Sequence, residues 1–257
     1  MKRLFTPLKS GVFIATMIAL YSCSEKDPLP ISQAGFKVTT IAPEVDLPVQ
    51  FENLSYNASA YAWDFGDGFT DSLVIDPSHT YEAPGDYLVK LTAYTEDGQM
   101  SESIEEISVG EKYLTGMYIA NINMKDENGN DWDEDGSGPD VLFQLWPEDA
   151  QTVDEAVYVL FDSLNVGFFQ TPIGITTENL VPQDYKLSNK DYNIVLEEID
   201  TVDNEPVFVP MASVVFNPVV QEDEFVNITK REDGTGDMSI PFIALEEFQF
   251  FIEFEIR

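Results

Sequence analysis

The 257-residue chain carries 13 Lys+Arg against 47 Asp+Glu, a formal charge of −34, with one Cys and one His. A chain this acidic is repelled by a phosphate backbone, which excludes nucleic acid as a partner. One Cys excludes an internal disulfide or a multi-cysteine zinc site, one His leaves little for imidazole metal chemistry, and a hydrophobic share of 44% with 12% aromatics marks a folded protein rather than a disordered polyanion.

Residues 1–22 read as a targeting segment. Lys2, Arg3 and Lys9 form a positive start, and Gly11–Tyr21 is an apolar run of eleven residues. That is too short to span a bilayer, which needs ~20. The run ends at Leu20-Tyr21-Ser22-Cys23. This resembles a bacterial lipobox, with Tyr21 where a smaller residue is usual. The resemblance implies cleavage before Cys23, lipidation of Cys23, and a membrane anchor made of several acyl chains. An ordinary secretory leader with an incidental Cys is the alternative. Residues 23–34 form the tether, and Ser24-Glu25-Lys26-Asp27 resembles the acidic export signals of some Gram-negative surface lipoproteins. The expected location is the outer membrane, lipid-anchored and facing the exterior. Removal of residues 1–22 takes away three cations and no acid, so the mature charge is −37.

Residues 35–110 read as short strands with period two: Val49–Asn53, Ala60–Phe65, Asp86–Ala93 and Ile104–Val109. Gly66-Asp67-Gly68 and Ala83-Pro84-Gly85 are turn chemistry between them. Short strands at regular spacing argue for a β-sandwich. Three stretches, Tyr61-Ala-Trp-Asp-Phe-Gly-Asp-Gly68, Asp76-Pro-Ser-His-Thr-Tyr81 and Pro84-Gly-Asp-Tyr-Leu-Val-Lys-Leu-Thr-Ala93, resemble the polycystic-kidney-disease (PKD) domain, an immunoglobulin-like module. The resemblance implies a spacer, or a module for protein or carbohydrate contact. It also places Asp64 and His79 in structural turns rather than in a catalytic pair.

Residues 113–257 read as a second β-sandwich of about eight strands, among them Gly116–Met124, Asp140–Trp146, Tyr192–Glu198, Val207–Val209 and Phe248–Ile256. A helical turn is expected only within Glu148–Phe161. Between the first two strands, seven of the fifteen residues from Asp126 to Asp140 are acidic. So many neighbouring carboxylates repel one another, and a divalent cation removes that cost. Asp131, Asp133, Asp135 and Gly136 match the DxDxDG opening of a calcium loop. It is not an EF-hand, because Leu142 stands where the bidentate Glu belongs and a strand follows. A second acidic loop is expected at 197–205, with Glu198, Asp200 and Asp203. The two acidic stretches together resemble the calcium loops of the C2 domain, a β-sandwich that binds calcium between loops at one end. That resemblance implies roles for Asp133, Asp140 and Asp200, with Glu198 where an Asp is usual. Candidate calcium ligands are therefore Asp126, Asp131, Asp133, Asp135, Asp140, Glu198, Asp200 and Asp203. The alternative is a solvated acidic loop built only for turning. Glu232–Asp237 reads as a simple hairpin.

No GxSxG, HExxH, Gly-rich phosphate loop or Cys/His dyad occurs in the sequence. The expectation is an all-β chain of two sandwiches behind a lipoprotein signal peptide. It acts without catalysis and displays a calcium-stabilised sandwich to a glycan or protein ligand. A purely architectural subunit of a larger outer-membrane complex is the alternative. Trp146, Phe168, Phe169 and Tyr185 are candidates for a sugar platform if they are not core.

Overall fold

Alternation of apolar and polar residues sets the strands. In Gln249–Ile256 every second side chain faces inward: Phe250, Ile252 and Phe254 are buried. In Tyr192–Val202, Tyr192, Ile194 and Leu196 do the same. The computed structural model describes residues 31–126, 128–133, 138–152, 155–161, 168–176, 183–219, 226–241 and 248–257. The leader, Cys23 and Asp135 lie outside these residues.

In chain order the strands of the first sandwich are β1 (Phe36–Val38), β2 (Pro48–Asn53), β3 (Ala60–Asp64), β4 (Thr70–Asp71), β5 (Ser78–Thr80), β6 (Gly85–Tyr94) and β7 (Met100–Val109). They form two antiparallel sheets, in the orders β1-β2-β5 and β4-β3-β6-β7. Trp63, Phe36, Phe51, Phe65 and Tyr81 fill the space between them. The Trp63 ring meets Phe36 edge-on, with centroids 5.1 Å apart.

Ten strands follow: β8 (Lys112–Asn121), β9 (Val141–Pro147), β10 (Val157–Phe161), β11 (Phe168–Thr176), β12 (Lys186–Leu187), β13 (Tyr192–Val202), β14 (Glu205–Phe216), β15 (Asn227–Lys230), β16 (Thr235–Pro241) and β17 (Gln249–Ile256). One sheet has the order β10-β9-β13-β14. The other runs β11-β8-β17-β16-β15, with β12 also paired to β8. Phe143 of β9 packs on Phe250 of β17 across the two layers, centroids 5.1 Å apart. The expected all-β sandwich architecture holds. The stretch expected to hold a helical turn does so at Glu155, whose N–H donates to the Thr152 carbonyl at 3.3 Å, and then supplies β10, because Val157 and Val159 alternate into the core. Asp233 caps the β15–β16 hairpin through the Thr235 N–H at 3.0 Å, and Gly234 supplies the left-handed residue at φ 84°.

Residues 197–205, read from sequence as a loop, are mostly strand. β13 runs on to Val202, and only Asp203 and Asn204 turn, with φ 57° and 66°. Two consecutive left-handed residues are what a tight hairpin needs, and Asp-Asn tolerates them. Acidic composition suggested a loop, but period two continues through it.

Ile31–Arg257 form one compact unit. At the junction, Gly110 donates its N–H to the Pro43 carbonyl and accepts from Val45 N–H, each at 3.0 Å, and Glu111 exchanges two backbone bonds with Arg257.

Candidate metal centre

The centre sits where β13 leaves the body of its sheet. Glu198 pairs with Val141 of β9 on one side and with Val209 of β14 on the other. By alternation it shares the inward face with Ile194 and Leu196, and it is completely buried. Asp200 lies two residues further on, so its side chain projects from the same face. Asp133 comes in from the loop between β8 and β9. One carboxylate oxygen each from Asp133, Glu198 and Asp200 lies within 4.8 Å of the others.

Asp140 clamps Glu198 by its backbone. Its N–H donates to Glu198 Oε1 at 3.2 Å, and its carbonyl accepts the Ile199 N–H at 2.9 Å. Glu198 Oε2 is buried and has no hydrogen-bond partner among the described residues. Burial pushes the Glu198 carboxyl up to about 7. The charges of Asp133, Asp140 and Asp200 add to that push, and the Asp140 N–H opposes it.

The other candidate acids are placed differently. Asp126 Oδ1 accepts the N–H groups of Asn128 and Asn130, and its Oδ2 accepts the Asn130 side-chain amide. Those bonds, the Asn130 side-chain amide foremost, hold the Asp126 carboxyl below the usual carboxylate range. Asp131 pairs with Lys125. Asp203 is exposed at the tip of the β13–β14 hairpin. Asp126, Asp131 and Asp203 line the same open cleft as Asp133 and Asp200, but they are not in the tight cluster. Asp131 and Asp133 diverge because the chain bends at Trp132–Asp133. Side chains two apart share a direction only in an extended strand. Of the aromatic candidates, Tyr185 is half-buried, its hydroxyl donating to the Glu155 carbonyl at 2.7 Å, and Trp146 is half-buried on β9.

In the first sandwich, the Gly66-Asp67-Gly68 turn is fixed by its own side chains. Asp64 Oδ1 accepts the Gly66 N–H at 3.1 Å, and Asp67 Oδ1 accepts the Phe69 N–H at 3.0 Å. Gly66 has φ 84°, and a Cβ there would stand 2.8 Å from the Leu88 carbonyl oxygen, so only Gly fits. His79 Nε2 lies 2.6 Å from Asp67 Oδ2, and its ring stacks on Phe65 at 4.2 Å. The Tyr81 hydroxyl donates to the Phe65 carbonyl at 3.0 Å. The family model of the PKD domain matches residues 28–109. Residues 28–109 are a PKD domain.

Two solved PKD domains resemble this PKD domain in sequence. The PKD1 domain of Vibrio anguillarum Epp is 30% identical, over 31% of this chain and 94% of that one, with a TM-score of 0.28. The PKD1 domain of the Vibrio cholerae metalloprotease PrtV is 28% identical, over 31% and 98%, with a TM-score of 0.28. A third structure, from work on the carbohydrate-binding modules of the β-sandwich superfamily, is 15% identical over 90% of this chain and 92% of that one, with a TM-score of 0.31.

Within the PKD domain, His79 and Asp67 tie the turn to β5, just before Tyr81. The chemistry-bearing cluster lies outside it. There, among the described residues, three carboxylates and no nitrogen or sulfur donor make a hard, oxygen-only set. Oxygens that share one calcium at 2.3–2.6 Å stand at most ~5 Å apart. The cluster's oxygens, all within 4.8 Å of one another, meet that limit, and the oxygen-only set suits calcium better than zinc. Sequence reading had no signal for the Asp140 N–H as a clamp. The sequence placed Glu198 in an acidic loop, and the alternation that begins at Tyr192 carries it inward instead.

Proposed function

We propose that this chain is a non-catalytic surface protein whose PKD domain carries a C2-like, calcium-binding β-sandwich, residues 113–257, toward a glycan or protein ligand. Cys23 is its lipid anchor on the outer membrane, and residues 23–34 are the tether. Calcium is held by Asp133, Glu198 and Asp200, with Asp140 fixing Glu198. The observation that carries this reading is Glu198 Oε2. A buried carboxylate oxygen without a hydrogen bond is costly, and it faces two more carboxylates. A bound divalent cation removes both the desolvation cost and the repulsion.

The experiment is thermal melting of residues 24–257 in calcium and in chelator. Calcium is expected to raise the melting temperature, by RT ln(1 + [L]/Kd) in free energy, ~2.7 kcal/mol at a hundredfold excess over Kd. An unchanged melting temperature refutes the calcium reading.

A further inference from the structure

The cleft around the cluster says what kind of ligand a bound ion can recruit. Among the described residues, seven carboxylates, the three of the cluster and those of Asp126, Asp131, Asp140 and Asp203, face a single lysine, Lys125. With every acid ionised and one divalent ion in place, the cleft still carries a formal charge of about −4. A carboxylate, phosphate or anionic lipid headgroup approaching the ion is therefore repelled by its surroundings. A neutral oxygen ligand meets no such barrier. One-oxygen coordination by each cluster carboxylate leaves three or more of calcium's six to eight positions to outside oxygens. The cleft is open on that side, and its wall is not purely polar. Val202 is 54% exposed on the hairpin. Trp132 lines the cleft with its indole N–H held by the Asn123 carbonyl at 2.8 Å. A fixed aromatic and an exposed aliphatic beside hard-cation positions suit a ligand with an apolar C–H face and paired neutral oxygens.

We propose that the ion held by Asp133, Glu198 and Asp200 is a bridge to an uncharged glycan, coordinated through a vicinal diol in the cleft beside Trp132 and Val202. This rests on the calcium reading above. It excludes anionic lipid and acidic polysaccharide as ligands of the same site.

The test has two steps, both with residues 24–257. Calorimetry with calcium alone comes first. Affinity electrophoresis follows in gels containing mannan, galactomannan or xylan as neutral probes and polygalacturonate as the acidic one, with phosphatidylserine vesicles tested by co-sedimentation. The expected result is calcium binding, retardation by at least one neutral polysaccharide that weakens tenfold or more in chelator or in Asp200→Asn, and no binding to polygalacturonate or vesicles. Calcium binding without retardation by any neutral probe overturns the glycan bridge and leaves the metal site standing. Calcium-dependent binding to polygalacturonate or to the vesicles overturns it as well. Absence of calcium binding overturns both readings. Asp200 is half-exposed, so Asp200→Asn is not expected to unfold the sandwich, and its melting temperature in chelator checks this.

Discussion

Lys112 Nζ lies 3.3 Å from Glu44 Oε2, and neither side chain reaches solvent to more than 2%. Glu44 belongs to the PKD domain and Lys112 opens the first strand of the following sandwich, so the pair ties the two together below the surface. Lys230, on β15, also pairs with Glu44. Lys112 further donates to the Pro218 carbonyl at 2.6 Å and lies over the Phe254 ring.

Two cations sharing one carboxylate make the two ends of the network unequal. Glu44→Gln leaves two buried or half-buried lysines without a counter-charge, and the expected cost is ~3–5 kcal/mol. Lys112→Met keeps the Glu44–Lys230 pair and most of the buried stem, and loses the bond to Pro218. Its expected cost is smaller, ~1–3 kcal/mol. Urea denaturation of both variants measures the difference. Equal costs would show that Lys230 does not share Glu44 in solution.

The same burial gives a pH dependence. It lowers the Lys112 ammonium to about 8, Glu44 pulling the other way and Lys230 adding to the push. Between about 8 and the ordinary lysine value of 10.5, the folded chain has released this proton and the unfolded chain still holds it. The unfolded state then binds more protons, so this group's contribution to stability rises with pH across that window and is flat below it. The wild type is expected to gain ~2 kcal/mol relative to Lys112→Met between pH 8 and 9.5, at 1.36 kcal/mol per unit. A constant difference between the two proteins over that range refutes the shift.

Much of the fold was legible because period two is a local property. Phe248–Ile256, read from alternation, is the strand Gln249–Ile256, and the turn at Gly66 follows from three neighbouring residues. What escaped the sequence is non-local. Nothing near Lys112 announces Glu44, which lies 68 positions earlier, and a charged residue on an alternating strand reads as solvent-facing. The acidic stretches show the same limit. Composition marked both of them, but only the pairing of Glu198 with Val141 and the bend at Trp132–Asp133 separate Asp133 from Asp131. Acidity alone also made a loop out of a hairpin, because charge count carries no periodicity.

Glu198→Gln separates burial cost from metal binding. In chelator at neutral pH the variant is expected to be more stable than the wild type by ~1–3 kcal/mol, since a neutral amide no longer faces two carboxylates in a dry site. In calcium the order is expected to reverse, because only the wild type gains. Melting curves of both proteins in both conditions give the four values. A variant that is destabilised in chelator and still responds to calcium would remove Glu198 from the proposed ligand set.

Asp126→Ala probes the other half of the acidic loop. Asp126 closes its own turn through three hydrogen bonds from Asn128 and Asn130, so its oxygens are already engaged as acceptors. Alanine removes those bonds and leaves the exposed turn amides to water. A small loss of stability is expected, of the kind that follows a lost local cap. The calcium-induced rise in melting temperature is expected to stay within error of the wild type, since the cluster of Asp133, Glu198 and Asp200 is untouched. Loss of the calcium response in Asp126→Ala, with the chelated melting temperature only slightly lowered, would instead place Asp126 among the ligands and require the turn to open when the ion binds.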